Sequence, residues 1–133
     1  MNIVTVKTLL SGPRHVILAV YLKSDGITGD LEQETLVDPV MDLGLKAGAR
    51  LTLECLVHNF SGFDACIEFE SGLVNNNFKW VLSEGTSDEI DFAPFGGLID
   101  DSGLDGTGKL QITTTGLTAS TDQGSILIKA RKP

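Results

Sequence analysis

At 133 residues, with 41% hydrophobic and 21% charged positions, the chain is long enough for one self-sufficient core and too apolar to be disordered by composition. Its net charge of −8 and scattered Lys and Arg argue against nucleic acid as a partner, since phosphate binding needs clustered cations. No run approaches the roughly 20 apolar residues of a membrane helix, so no membrane is expected either.

The chain opens on "MNIVTVKTLLSGPRH", which lacks a basic segment followed by a long apolar one. The expectation is a protein without a signal peptide, made in a reducing cytoplasm. Strand alternation then dominates. It predicts strands near 2–9, 14–23, 33–38, 50–58, 63–70, 78–83, 109–115 and 124–131, with a short extended piece at 88–92. The spacing in "MDLGLKAGARL" is weakly helical and is interrupted by Gly44 and Gly48. Turn signals at Ser11-Gly12-Pro13, Asp25-Gly26, Ser61-Gly62, Asn75-Asn76-Asn77 and Gly116 fall between the strands. The fold class is therefore all-β: a single antiparallel β-sandwich over residues 1–133, about eight strands, with a jelly roll as one arrangement of it. Residues 1–10 form an N-terminal arm or an edge strand.

Individual strands carry further expectations. The strand 14–23 is apolar on both faces: Val16, Leu18, Val20 and Leu22 on one, Ile17, Ala19 and Tyr21 on the other. It is buried on both sides within the subunit, or one side covers a partner. Strands 50–58 and 63–70 pair as a hairpin with 57 opposite 63, 55 opposite 65, 53 opposite 67 and 51 opposite 69. That register puts Leu51, Leu53, Cys55 and Val57 with Phe63, Ala65, Ile67 and Phe69 on one side. Cys55 then faces the core as a small buried hydrophobe and Cys66 faces out among carboxylates that raise its pKa, so both are expected to be free thiols. Phe78, Trp80 and Leu82 share one face as core or interface residues. In the last strand Ile126, Ile128 and Ala130 face one way, and Leu127, Lys129 and Arg131 the other.

The stretch 91–116, "DFAPFGGLIDDSGLDGTGKLQITTTG", invites three chemical readings. A phosphate loop would need four residues between its glycines, Ser or Thr after the lysine, and a following helix. Here Leu110 follows Lys109 and a strand follows that. A calcium loop counted from Asp101 puts Ile112 where the bidentate Glu belongs. Asp100, Asp101 and Asp105 are the weak candidates for a looser metal site, and no metal or cofactor is assigned, because Asp and Gly between strands are ordinary turn residues. For catalysis only His15 and His58 are near-neutral bases. Neither lies in a nucleophile or metalloprotease motif, so both are read as satisfied edge histidines and no catalytic residue is assigned. Asp88 with Glu89 and Asp100 with Asp101 are adjacent carboxylates of an acidic surface. Phe92 and Phe95 around Pro94 are expected to pin the loop onto the sandwich, with Gly96-Gly97 turning the chain.

The block Asp91-Phe92-Ala93-Pro94-Phe95-Gly96-Gly97-Leu98-Ile99-Asp100, followed by Gly106-Thr107-Gly108-Lys109-Leu110-Gln111-Ile112-Thr113-Thr114-Thr115-Gly116, resembles a segment of small virion proteins of tailed bacteriophages. "GFDACIEFE" after "LTLE", the Trp80 strand and the basic ending "ILIKARKP" extend the resemblance over about 50–133. It implies a non-enzymatic structural protein made in the bacterial host cytoplasm and built into the virion in many copies. Decorating or cementing the capsid is the first role. A tail or head–tail connector component, or a carbohydrate- or ligand-binding module, is the alternative. Its partners are then the major capsid protein or other virion proteins and its own copies, as a homo-oligomer with a trimer favoured. Joining is expected edge to edge, through 2–9 or the C-terminal strand. No site residues are carried over.

Overall fold

The computed structural model describes residues 1–72 and 76–133; of the predicted asparagine turn, Asn75 lies outside them. In chain order the strands are β1 (Ile3–Ser11), β2 (His15–Lys23), β3 (Glu34–Val37), β4 (Thr52–Ser61), β5 (Asp64–Ser71), β6 (Asn77–Leu82), β7 (Gly85–Thr86), β8 (Ile90–Asp91), β9 (Leu98–Ile99), β10 (Gly106–Thr115) and β11 (Gln123–Arg131). Eight of these fall where alternation placed them, and β8 is the short extended piece. One helical turn, α1 (Pro39–Leu43), starts on Asp38, whose side chain accepts from Val40 N and Met41 N. It stops at Gly44, at φ 67°.

The strands form two antiparallel sheets packed face to face. The larger runs β1-β2-β11-β4, with β7, β8 and β9 along the outer edge of β4; the smaller runs β3-β10-β5-β6. The chain changes sheet at β2 to β3, β3 to β4, β4 to β5, β6 to β7, β9 to β10 and β10 to β11. That winding, with β2, β11, β4 and the β7–β9 pieces facing β3, β10, β5 and β6, is the order of a jelly roll. The core between the sheets is continuous: Leu18, Leu22, Leu53, Leu56, Ile67, Phe69, Leu110 and Ile128 are all essentially without exposed surface. Each such side chain contributes about 1.5–3 kcal/mol relative to exposure.

β4 and β5 do not pair. β4 hydrogen-bonds to β11, and β5 to β10 and β6, so the expected hairpin is a corner crossing from one sheet to the other. The apolar face of β5 is the predicted one, with Ala65, Ile67 and Phe69 buried. That of β4 is not. Lys129 lies opposite Cys55 and Ala130 opposite Leu53, which leaves Glu54 as the extra residue of a bulge. Beyond it the alternation inverts: Leu56, His58 and Phe60 turn inward, while Cys55 and Val57 move to the outer face. The corner itself rests on Gly62, at φ 92°, and on Phe60 and Phe63 stacked at 4.5 Å.

Cys55 therefore lies not in the core but on the outer face of the larger sheet, and Cys66 on the outer face of the smaller one. Both are free. Burial, reinforced by Glu89, raises the Cys55 thiol to about 11; burial and then Glu68 do the same for Cys66. A second irregularity sits in β6, where Ile67 faces Trp80 but Glu68 faces Phe78, skipping Lys79. Trp80 and Leu82 keep the inward side, while Phe78 is thrown outward instead of sharing their face.

β1 is an edge strand, paired on one side only with β2. β11 is central, held between β2 and β4 over its whole length, so the C-terminal strand offers no free edge.

Candidate functional site

The 91–106 segment is not a slack loop. Phe92 is buried, donates its N–H to Glu54 O at 2.7 Å, and meets Trp80 edge-on with ring centroids 5.1 Å apart. A 3-10 turn over Ala93–Phe95 follows, closed by N–H bonds from Phe95 and Gly97 to Phe92 O and from Gly96 to Ala93 O. Asp91 Oδ1 accepts from Ala93 N, and Arg131 Nη2 donates to Gly96 O. Gly96 and Gly97 both have positive φ, and a Cβ on Gly97 would stand 2.5 Å from Thr52 Cγ2. So the chain must be glycine where it passes β4. Of the two phenylalanines expected to anchor this corner, only Phe92 does so. Phe95 points away from the sandwich and is 87% exposed.

The aspartates beyond are each tied to the fold. Asp100, its side chain fully buried, pairs with Arg50 Nη1 at 3.3 Å and accepts from Ser102 N. Arg50 Nη2 donates to the carbonyls of Gly103 and Gly106, at 2.7 and 3.0 Å. One guanidinium thus draws together both ends of the acidic turn. Asp101 takes Lys79 Nζ at 2.8 Å and Asn77 Nδ2 at 2.6 Å, and these bonds hold its carboxyl down at about 2. Asp105 is exposed, and its backbone carbonyl accepts from Gly72 N. The three candidate ligands do not converge, and among the described residues no group of three or more His, Cys, Asp or Glu could hold a metal. The glycines of the phosphate-loop reading are packing positions: a Cβ at Gly106 would strike Arg50, and one at Gly108 the Ala49 carbonyl.

The histidines are committed elsewhere. His15 Nε2 lies 2.8 Å from Glu54 Oε1, and Arg131 Nη1 is 3.4 Å from Oε2. The carboxylate that the bulge buries is thereby bracketed by two bases from β2 and β11. Only its contact with Arg131 has full hydrogen-bond geometry. Sequence reasoning passed over Glu54; the available signal was one charge inside the apolar run "LTLECLV". His58 is not a strand-end residue but an inward one within β4, 4.9 Å from the Phe60 ring centroid. Its Nε2 donates to Ser83 O at 2.7 Å, leaving Nδ1 buried without a partner. Ser87 Oγ accepts from the His58 backbone N–H, but among the described residues neither histidine ring is hydrogen-bonded to a hydroxyl or thiol.

The surface carries the remaining chemistry. The exposed aromatics do not gather into one platform: Tyr21 lies on the outer face of the larger sheet, Phe78 on that of the smaller, and Trp80 leans on Phe92. On the outer face of the larger sheet, cross-strand neighbours bring Ile17, Ala19, Leu127 and Val57 together, with Leu10 opposite Ile17. Lys7 and Lys129 stand among them and Lys23 at the end of the face. None of these lysines enters an ion pair with the described residues. Shallow hollows of about 260 to 490 Å³ dot the surface. That beside His15 is lined by Arg14, Arg131, Lys132 and Pro133. No helix among the described residues is long and apolar enough to cross a membrane.

Fold and surface together define an antiparallel jelly-roll sandwich whose charged side chains mostly brace its own loops. No family model, curated protein or solved structure matches the chain.

Proposed function

We propose that this protein is a non-enzymatic structural component of a tailed-phage virion, placed in many copies on the capsid as a decorating or cementing subunit. One observation carries the reading: the outer face of the larger sheet brings Ile17, Ala19, Leu127, Val57 and Leu10 together as cross-strand neighbours, with Leu127 and Leu10 exposed and the other three half-buried. An apolar face of this kind marks a contact surface. The resemblance of the 91–116 segment to small phage virion proteins supplies the setting, and jelly rolls recur in viral capsid proteins, which is support by analogy only. Many weak contacts of one kind suffice when a lattice repeats them.

The test is copy number. Purified particles of the virus that encodes the chain should contain it at tens to hundreds of copies by quantitative mass spectrometry. Leu127→Glu, which places a charge at the centre of the face without touching the core, should reduce incorporation at least tenfold while leaving the soluble protein folded. Absence of the wild-type chain from particles would sink the proposal.

A further inference from the structure

The strongest unabsorbed feature is Phe95. A phenyl ring on the surface is ordinary; one held on a tightly bonded turn is not. Every backbone amide from Ala93 to Gly97 except that of Pro94 is engaged, three of them closing the turn on itself. Arg131 fastens the Gly96 carbonyl, and the neighbouring Phe92 is locked under Trp80. The ring is thus presented at small conformational cost, as binding anchors are. Around it the segment is acidic, with Asp91, Asp101 and Asp105 exposed.

At the same end of the sandwich lies a receptor of the opposite character. A hollow of about 490 Å³ is walled by Leu45, Ala47, Gly48, Ala49 and Pro133, with Lys46 on its rim. Through Pro133 it adjoins the basic hollow of Arg14, His15, Arg131 and Lys132. The hollow as a whole is larger than a phenyl ring, and the cations beside it complement the acidic segment that carries Phe95. Arg131 bonds the Gly96 carbonyl of the anchor turn and also lines the basic hollow, so the anchor turn borders the hollow that adjoins the receptor on each molecule. They differ in shape and in charge. A contact between them joins unlike surfaces of two copies and closes either reciprocally, as a two-fold pair, or as a larger ring when the rotation allows.

We propose that copies of this chain assemble cyclically by inserting Phe95 of one protomer into the hollow formed by residues 45–49 and Pro133 of the next, with the acidic turn seated on the basic rim. This rests on the multi-copy reading above and adds to it the surfaces through which copies meet.

The experiment measures mass by light scattering during gel filtration for wild type, Phe95→Ser, Ala47→Trp and an equimolar mixture of the two variants. Both substituted side chains are exposed, so thermal melting should match wild type. Wild type should be a discrete oligomer. Phe95→Ser lacks the anchor and Ala47→Trp fills the receptor; each should weaken assembly at least about 30-fold, as loss of a hot-spot contact does, and run as a monomer. The mixture retains one intact contact, from the Ala47→Trp chain into the Phe95→Ser chain, and should form dimers that go no further. Undiminished assembly of either variant overturns the proposal, as does a mixture that stays monomeric at high concentration. A monomeric wild type overturns it as well, while incorporation into particles still tests the virion reading separately.

Discussion

Replacing Arg50 by Met should expose how the acidic segment is held. Met keeps the length of the arginine stem and removes the guanidinium and its charge. Asp100 then keeps a carboxylate with no exposed surface and no cation, and the Gly103 and Gly106 carbonyls lose their donors. Breaking a fully buried pair from one side costs about 3–5 kcal/mol. Arg50 itself is 26% exposed, so water enters once it is gone, and about 3 kcal/mol is the expected loss. With a urea m-value of about 2 kcal/mol/M, the midpoint should fall by roughly 1.5 M. Asp100→Asn in the Arg50→Met background removes the stranded charge and should restore about half of the loss, giving a coupling energy above about 1 kcal/mol in the double-mutant cycle. If Arg50→Met shifts the midpoint by less than about 0.2 M, or if the two substitutions simply add, the guanidinium does not organise this turn.

Other outcomes follow from the same geometry. Gly62→Ala and Gly97→Ala each place a Cβ at positive φ, against the Asp122 carboxylate and the Thr52 methyl respectively; each should cost about 2–4 kcal/mol by chemical denaturation, and a near-neutral result would contradict the corner and the loop crossing. Cys55 and Cys66, with thiols near 11, should resist iodoacetamide at pH 8 and react only as pH approaches 11. Unfolded thiols ionise from about 9, so stability should decline between pH 9 and 11, and the double Cys→Ala variant should flatten that limb. The Asp101 carboxyl is depressed to about 2 by Lys79 first and Asn77 second, so its contribution is present above the unfolded value of 3.8 and lost as pH falls toward 2. Asp101→Asn should make the melting temperature less steep in pH across that window.

Much of the fold was readable because period-two alternation is strict wherever a strand has one buried face. The edges of β2, β5 and β11 and their inward residues follow from it directly. The β4–β5 pairing did not follow, because two strands with apolar faces satisfy the same pattern side by side or across a core. Gly62 serves either turn. Nor does alternation announce a bulge. Glu54 and Lys79 each shift the frame by one residue, and that sent Cys55 and Phe78 outward. In the 91–116 segment the turn residues were legible, but their partners were not. Arg50 and Lys79 come from remote positions, and the choice between an anchoring and an exposed phenylalanine depends on where β4 lies. The apolar second face of β2 was legible as a two-way choice, and the structure puts it on the outer face of the larger sheet, with Ile17 and Ala19 half-buried and Tyr21 exposed.

The most direct test of the central claim, assembly through surfaces alone, is the mass of the purified protein in solution with calcium and with chelator. The account predicts a discrete oligomer of unchanged mass and melting temperature in both. A monomer whose mass or melting temperature responds to calcium would contradict it and make the acidic segment a metal-dependent site.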